Sequence, residues 1–565
     1  AMVLLNAERV IVIMGSGAET AKETVDFQAK GEKVGLLVVH LYRPFAADRF
    51  LAAMPKTVKK IAVLDRTKEP GAMGEPLYQD VSSLYKAKGA DVTIVGGRYG
   101  LSSKDTTPDQ MLAVYKNLAL DTPKMTSPLV SSMIDEYEPT QGRRPSTRHR
   151  KVRLSAEFWG MGSDGTVGAN KNSNQDIGHT TDLYCQAYFV YDSKKSGGLT
   201  QSHLRFGRNP IRSPYLIQAA DLLPANTELR DKNDMVKNLK EGGTFLLNCA
   251  WSDEDLDRHL PASMKRALYA KKAKFYTINA TAIARSIGLG NRTNTILQAA
   301  FFKLLGIIPG KSVKAMKEAI YKTYFIKKGQ AVVDKNMLID HGINELHSVT
   351  IPENWKDAQD APKQDKAPAF IKEVVNVMNR QEGEVLPVST MTKYGLEDGT
   401  WPAGTTKYEK RGAAVEVPEW QTANCIQCNQ CALVCPHAAI RPILVDAKEL
   451  AAAPAGLQRR KPSVQLAAYE YRMQVSPLDC TGCGSCVNVC PAKEKALVMK
   501  PLETQLPQAP LWDYAVDTVS IKKDAISDKS IKVPNLPNLI SNSPGPALAA
   551  AKTPYIKLVT QLFGD

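Results

Sequence analysis

Eight of the ten cysteines fall between Cys425 and Cys490, and their spacing repeats. CIQCNQCALVCP sets Cys425, Cys428, Cys431 and Cys435 before Pro436; CTGCGSCVNVCP sets Cys480, Cys483, Cys486 and Cys490 before Pro491. Thiolates separated by two residues wrap an arc that fits three corners of an iron–sulfur cubane, and a helix ending at the Cys-Pro step carries the fourth cysteine to the neighbouring cube. On this crossed pattern Cys425, Cys428, Cys431 and Cys490 hold one [4Fe-4S] cluster, and Cys480, Cys483, Cys486 and Cys435 hold the second. Structural zinc competes for any C-x2-C pair, but two uninterrupted runs suit paired cubanes better than tetrahedral single ions. The chemistry is one-electron transfer, so a donor of electrons must exist. Cys185 and Cys249 stand apart in apolar surroundings and read as small buried hydrophobes.

A second chemical pattern lies at EFWGMGSDGTVGANKNSN, from Glu157. Gly162, Gly165 and Gly168 permit close backbone approach; Asp164, Thr166, Asn170 and Lys171 supply polar groups at a helix start. Backbone amides and a lysine there form a cradle for phosphate or pyrophosphate. The spacing departs from an ATP-hydrolysing P-loop, since Asn172 follows Lys171. A tight turn without ligand is the plainer alternative. The GSGAET turn after VIVIM has a lone G-x-G and reads as a tight βα turn rather than a nicotinamide site.

The elements that must position these residues follow from pattern. RVIVIMG, GLLVVHLY, KKIAVLD and DVTIVGG alternate with polar helical stretches, so residues 1–120 read as an α/β domain with buried parallel strands. Residues 121–151 are rich in Pro, Ser, Thr and Arg and read as a linker. A second α/β domain, 152–335, has strands at YCQAYFVYD, GTFLLNCAW and KFYTINAT and a helix through TNTILQAAFFKLLG. Residues 336–415 read as a linker or small connecting domain, 416–500 as a two-cluster ferredoxin-like module, and 501–565 as a tail. The expected fold class is α/β multidomain, two doubly wound-like α/β domains, with a small α+β two-[4Fe-4S] domain.

Charge is +15 over 565 residues. The basic residues are dispersed except in RRPSTRHRKVR, which no aromatic platform accompanies, so nucleic acid is not expected as a partner. Two oxidised clusters bring about −4 and lower the balance to about +11. A basic surface suits an acidic electron carrier or a phosphate-bearing ligand. No apolar run reaches the length of a membrane span, and the first residues lack the pattern of a secretion signal. The expected location is cytoplasmic, or the matrix of a mitochondrion-related organelle.

Together, GSDGTVGANKNS, YDSKKSGGLTQSHLRFG with NPIRSPYLI, CIQCNQCALVCPHAAIRP and LDCTGCGSCVNVCPAKEKALVMKPLE resemble pyruvate:ferredoxin (flavodoxin) oxidoreductase. MGSGAET, HLYRPF, LDRTKEPGAMGEPLYQDV and GGRYGLSSKD resemble that family's transketolase C-terminal-like domain. The resemblance implies oxidative decarboxylation of pyruvate on thiamine diphosphate with magnesium, transfer of the two-carbon unit to coenzyme A, and delivery of single electrons through [4Fe-4S] clusters to ferredoxin or flavodoxin. It associates the GSDGTVGANK domain with coenzyme A, and Lys171, Lys194, Lys195, Arg205 and Arg292 become candidates for its phosphates. An oligomer is expected.

The family's pyrimidine- and diphosphate-binding domains are not recognised here in full, and no catalytic residue is named. Relatives enter the last domain through a segment resembling C-A-G-C-G-E-T-P-Y, whose cysteines help hold a third cluster. Here Ala547 and Ala550 stand at those positions, and Lys552 replaces the acid; YIKLVTQLFGD then resembles the first helix of that domain, so the resemblance makes 501–565 a tail and the remnant start of the diphosphate-binding domain. Two expectations follow: a part of an active oxidoreductase, not active as this chain alone and completed by thiamine-bearing domains or a subunit, or a derived non-decarboxylating electron-transfer or scaffold subunit.

Overall fold

The computed structural model describes residues 6–28, 31–102, 104–124, 126–127, 153–162, 165–192, 198–226, 233–286, 293–305, 345–360, 367–462, 466–520 and 522. The first sheet is formed by β1 (Arg9–Met14), β2 (Val34–Val39), β3 (Lys60–Asp65), β4 (Thr93–Arg98) and the short β5 (Thr126–Ser127), parallel throughout in the order β2-β1-β3-β4-β5. Helices α1 (Gly17–Gln28), α2 (Ala47–Ala53), α3 (Pro76–Ala87) and α4 (Pro108–Ala119) cover both faces.

Strand alternation divides one apolar run between two cores. Ile11 and Ile13 pack with Ala21 and Val25 of α1 and Met111 and Val114 of α4. Val10 and Val12 pack with Phe50 of α2 and Leu77 and Val81 of α3. A run with no polar interruption is what burial on both faces requires.

The second sheet has seven strands: β6 (Arg153–Met161), β7 (Tyr184–Tyr191), β8 (Leu199–Gly207), β9 (Ala220–Asn226), β10 (Leu239–Asn248), β11 (Lys274–Ile278) and β12 (His347–Val349), in the order β12-β11-β10-β9-β6-β8-β7. β6, β9, β10 and β11 run parallel, while β7, β8 and β12 join antiparallel. The helices Thr166–Thr180 and Asn294–Leu305 lie on one face, where Ile177 and Phe301 pack with Phe158, Leu204 and Phe206. On the other face Trp159, Leu223 and Phe245 pack with Leu256 and Leu268.

The connecting stretch is more than a linker. Phe370, Ile371, Val374 and Val375 fall on one helical face and bury against Leu386, Tyr394 and Tyr408. The cysteine-rich module that follows consists of two antiparallel pairs, β13 (Glu416–Trp420) with β16 (Leu497–Pro501) and β14 (Ile440–Val445) with β15 (Glu470–Val475). The architecture is two α/β domains plus a small ferredoxin-like domain. No helix among the described residues is long and apolar enough to cross a membrane.

Candidate iron–sulfur centres and glycine-loop site

The two cysteine motifs share a backbone solution despite different residues. Gly482 and Gly484 adopt φ of +68° and +74°; Gln427 and Asn429, at the matching positions, adopt +59° and +60°. The second residue of each pair caps a short helix, Ser485–Val489 or Gln430–Leu433, which carries the third cysteine. Glycine is required at 482, because a Cβ there would meet the Glu416 carbonyl at 2.8 Å. In the first motif Tyr471 Oη donates to Asn429 Oδ1 at 2.6 Å, which supports the left-handed turn that asparagine tolerates better than most residues.

These turns bring the motifs together. Cys435 of the first motif lines one pocket with Cys480, Cys483 and Cys486 of the second, closed by Pro418, Ile440 and Val475. Cys425, Cys486 and Cys490 are buried in the same core, with Cys431 and Cys435 packed against it. Among the described residues no three such side chains gather closely enough for a single ion. Four cysteines around one pocket are the number and type of donor that a [4Fe-4S] cluster requires. Burial, then neighbouring thiolates, push the Cys431 thiol up to about 12 and Cys486 up to about 11; burial also raises Cys480 to about 12. Such thiols ionise only when a cationic iron core compensates. Gly482 N–H donates to Cys480 Sγ and Ala496 N–H to Cys490 Sγ, both at 3.4 Å, the kind of contact that tunes a cluster.

At the glycine loop, Gly165 caps the helix Thr166–Thr180 with φ +88°, and a Cβ there would meet Asn294 Cγ at 2.9 Å. Gly168 faces open space, and Lys171, three residues on and hence on the same side of the helix, is exposed with Nζ 5.4 Å from the Phe189 ring centre. Gly162 N–H donates to Gly198 O at 2.7 Å, which holds the loop to the start of β8. Thr166 and Asn170 line a pocket with Phe158, Trp159, Asn294 and Gln298. Asn170 Nδ2, Ser173 Oγ, Thr200 Oγ1 and Ser202 Oγ are buried without a hydrogen-bond partner among the described residues. Buried polar atoms of this kind call for water or a ligand.

The structure therefore gathers Gly162, Gly165, Thr166, Gly168, Asn170 and Lys171. Asp164 and Arg292, with Lys194 and Lys195, lie outside the described residues. Arg205 is a correction. It leaves β8 on the face opposite Leu204 and Phe206, which pack toward the glycine-loop helix, and it is only 4% exposed. Its guanidinium donates to Gln186 Oε1 at 3.0 Å, Ser213 O at 3.2 Å and Tyr215 O at 2.6 Å, so it fixes a loop rather than facing the cradle. Asn294 and Gln298 were not legible as site residues, since only tertiary packing of their helix brings them to the loop. Cys185 and Cys249 are half-buried against the two cores of this sheet.

Matches to known families follow the same order along the chain: pyruvate:ferredoxin oxidoreductase core domain II at residues 7–111, pyruvate ferredoxin/flavodoxin oxidoreductase at 155–344, a domain of unknown function at 356–414, and a 4Fe-4S dicluster domain at 424–494. Pyruvate-flavodoxin oxidoreductase of Enterobacter agglomerans is 48% identical over 99% of this chain and 48% of its own length. Pyruvate:ferredoxin oxidoreductase of Moorella thermoacetica is likewise 48% identical, over 99% of this chain and 48% of its own. The mitochondrial pyruvate dehydrogenase [NADP(+)] of Euglena gracilis is 41% identical over 99% of this chain and 31% of its own. The chain spans about half the length of the first two relatives. In sequence and in the order of its domains, the chain is similar to the part of pyruvate ferredoxin/flavodoxin oxidoreductases that carries core domain II and the 4Fe-4S dicluster domain.

Proposed function

We propose that this chain supplies the coenzyme A-binding and electron-transfer domains of a pyruvate:ferredoxin or pyruvate:flavodoxin oxidoreductase, which converts pyruvate and coenzyme A to acetyl-coenzyme A and CO2 and passes two electrons singly to its acceptor. The observation that carries the reading is the pocket that sets Cys435 among Cys480, Cys483 and Cys486. Two [4Fe-4S] clusters, bound there and by Cys425, Cys428, Cys431 and Cys490, would supply one-electron storage and transfer.

For coenzyme A, the first-turn amides from Thr166 to Gly168 and the Lys171 ammonium offer donors and positive charge to a pyrophosphate, with Gly168 leaving room for its approach. Asn170 and Ser173 are buried donors one turn further on. No residue of this chain is assigned to thiamine diphosphate or magnesium, so decarboxylation is assigned to thiamine-bearing domains or a partner subunit, within an oligomer in the cytoplasm or an organelle matrix. The charge of +15 favours an acidic carrier such as ferredoxin or flavodoxin.

The test is to purify the chain with what accompanies it in its native source. Reduction of ferredoxin that depends on pyruvate and coenzyme A, by a preparation containing thiamine diphosphate, is the expected result. Lys171→Gln should weaken coenzyme A binding roughly fivefold to tenfold, and unchanged affinity would remove the lysine from the site. A second reading rests on Ala547 and Ala550: alanine has no donor atom, so that segment cannot ligate a third cluster. Electron flow without pyruvate, in an assembly without thiamine, would favour a derived electron-transfer subunit.

A further inference from the structure

The two cysteine motifs share a backbone but not a surface. Ile426 and Leu433 of the first are 59% and 58% exposed, and Thr481 and Asn488 stand at the matching positions of the second. Two basic segments border the first motif's opening turn. Gln427 Nε2 donates to Lys461 O at 2.8 Å, and the Arg460 guanidinium donates to Thr422 O at 2.9 Å and Ala423 O at 2.8 Å, which seats residues 459–461 along that turn. Asn424 Nδ2 donates to Lys495 O at 3.3 Å, which seats residues 493–495 beside it. Arg459, Lys461, Lys493 and Lys495 are exposed there, offset by Glu494 and by Glu470, whose Oε1 lies 2.7 Å from Lys461 Nζ. The second motif is placed otherwise. Thr406, Arg411 and Trp512, from segments that lead into and out of the module, line one pocket with Cys480 and Thr481. Its exposed thiol, Cys483, lines a pocket that no lysine or arginine among the described residues borders.

An apolar centre within a basic rim is the composition of a surface that docks an acidic protein, the charges steering its approach and the apolar contact holding it. We propose that Ile426, with Arg459, Lys461 and Lys493 in the bordering segments, forms the docking surface for an acidic one-electron carrier protein. One electron then passes from the adjoining cluster of Cys425, Cys428, Cys431 and Cys490, which returns to its oxidised state, to the carrier's cofactor. Docking here keeps the carrier clear of the segments that join the module to the rest of the chain. This inference rests on the electron-transfer reading above and adds the place of the partner.

The test is a calorimetric titration of the full chain, loaded anaerobically with iron and sulfide, with an acidic flavodoxin at about 0.1 M salt, where exposed charges beyond about 10 Å are screened. Arg459→Glu/Lys493→Glu should weaken binding about tenfold and Ile426→Ser about fivefold. Lys86→Glu/Lys88→Glu, the same change of charge at exposed positions of the first domain, should leave affinity within about twofold. Carbodiimide cross-linking of the wild-type mixture should join the flavodoxin to Lys461 or Lys493. Should Ile426→Ser lose iron, Arg459→Glu/Lys493→Glu, which alters no residue between cluster ligands, carries the test alone. Unchanged affinity in that double variant, or cross-links at Lys500 beside the second motif's pocket instead, overturns the proposal and leaves the electron-transfer reading in place. A loaded wild-type chain that neither binds nor reduces the flavodoxin overturns both.

Discussion

Cys435 shows how a residue can belong to one motif by sequence and to another by structure. It ends the run that starts at Cys425, yet it lines the pocket of Cys480, Cys483 and Cys486. Cys435→Ser should therefore abolish the cluster of the second motif and spare that of the first, lowering iron from about eight to about four per chain while one cluster signal persists. Loss of both clusters, or loss of the cluster held by Cys425, Cys428 and Cys431 alone, would refute the crossed assignment. The place of Cys435 follows from spacing, because the Cys-Pro step turns the fourth cysteine of a run away from the other three. The place of Arg205 does not. A basic residue near a glycine-rich loop suggests a phosphate ligand, but the face of the sheet from which it projects depends on a register that sequence does not reveal.

Elements place chemistry that no motif announces. Glu157 on β6 and His203 on β8 are direct cross-strand partners, 1% and 2% exposed. Ile217 N–H donates to His203 Nδ1 at 3.2 Å, so the ring's proton sits on Nε2 in the neutral form. Asn238 donates to Glu157 Oε2 at 3.1 Å. Burial raises the Glu157 carboxyl from 4.5 to about 7 against the pull of Asn238, and burial, then Arg205, lowers His203 from 6.5 to about 3. The signs oppose. Between about pH 3 and 6.5 the unfolded chain holds a proton on His203 that the folded chain lacks, so stability rises with pH. Between about pH 4.5 and 7 the folded chain holds a proton on Glu157 that the unfolded chain has lost, so stability falls with pH. Glu157→Gln should remove the falling limb and leave the domain up to about 3 kcal/mol more pH-tolerant near neutrality. Thermal denaturation across pH reads this directly, and an unchanged profile would show that Glu157 is ionised in the fold. The same strands mark the limit of pattern reading. β1 to β4 are apolar runs and were legible, but β8 reads Leu-Thr-Gln-Ser-His-Leu-Arg-Phe-Gly and is buried along its whole length. Arg205 and His203 Nδ1 meet tertiary partners, while Thr200 Oγ1 and Ser202 Oγ are buried without one among the described residues, and a hydropathy pattern anticipates neither.

On the scale of the whole molecule, a small polar latch joins the two α/β domains among the described residues. Ser213 Oγ and Tyr215 Oη donate to Glu23 Oε2 of α1 at 2.7 and 3.0 Å, and Leu216 N–H donates to Asp105 Oδ2 at 3.0 Å. Arg205 holds the same segment from the other side through the Ser213 and Tyr215 carbonyls. Among the described residues, the loop at 213–216 thus anchors the sheet that carries the glycine loop to the first domain. Hydrogen bonds to a carboxylate contribute about 1.5–3 kcal/mol each when shielded, less where water competes. Glu23→Ala should leave both sheets folded but speed hydrogen exchange at the Ser213, Tyr215 and Leu216 amides by roughly tenfold, the ratio that about 1.4 kcal/mol of lost latch stability implies. Arg205→Met should do more, because it strands two carbonyls as well as freeing the loop, and it should slow no exchange elsewhere. Equal exchange in wild type and Glu23→Ala would mean that the loop keeps its place through its own domain, and that the contact with α1 is incidental.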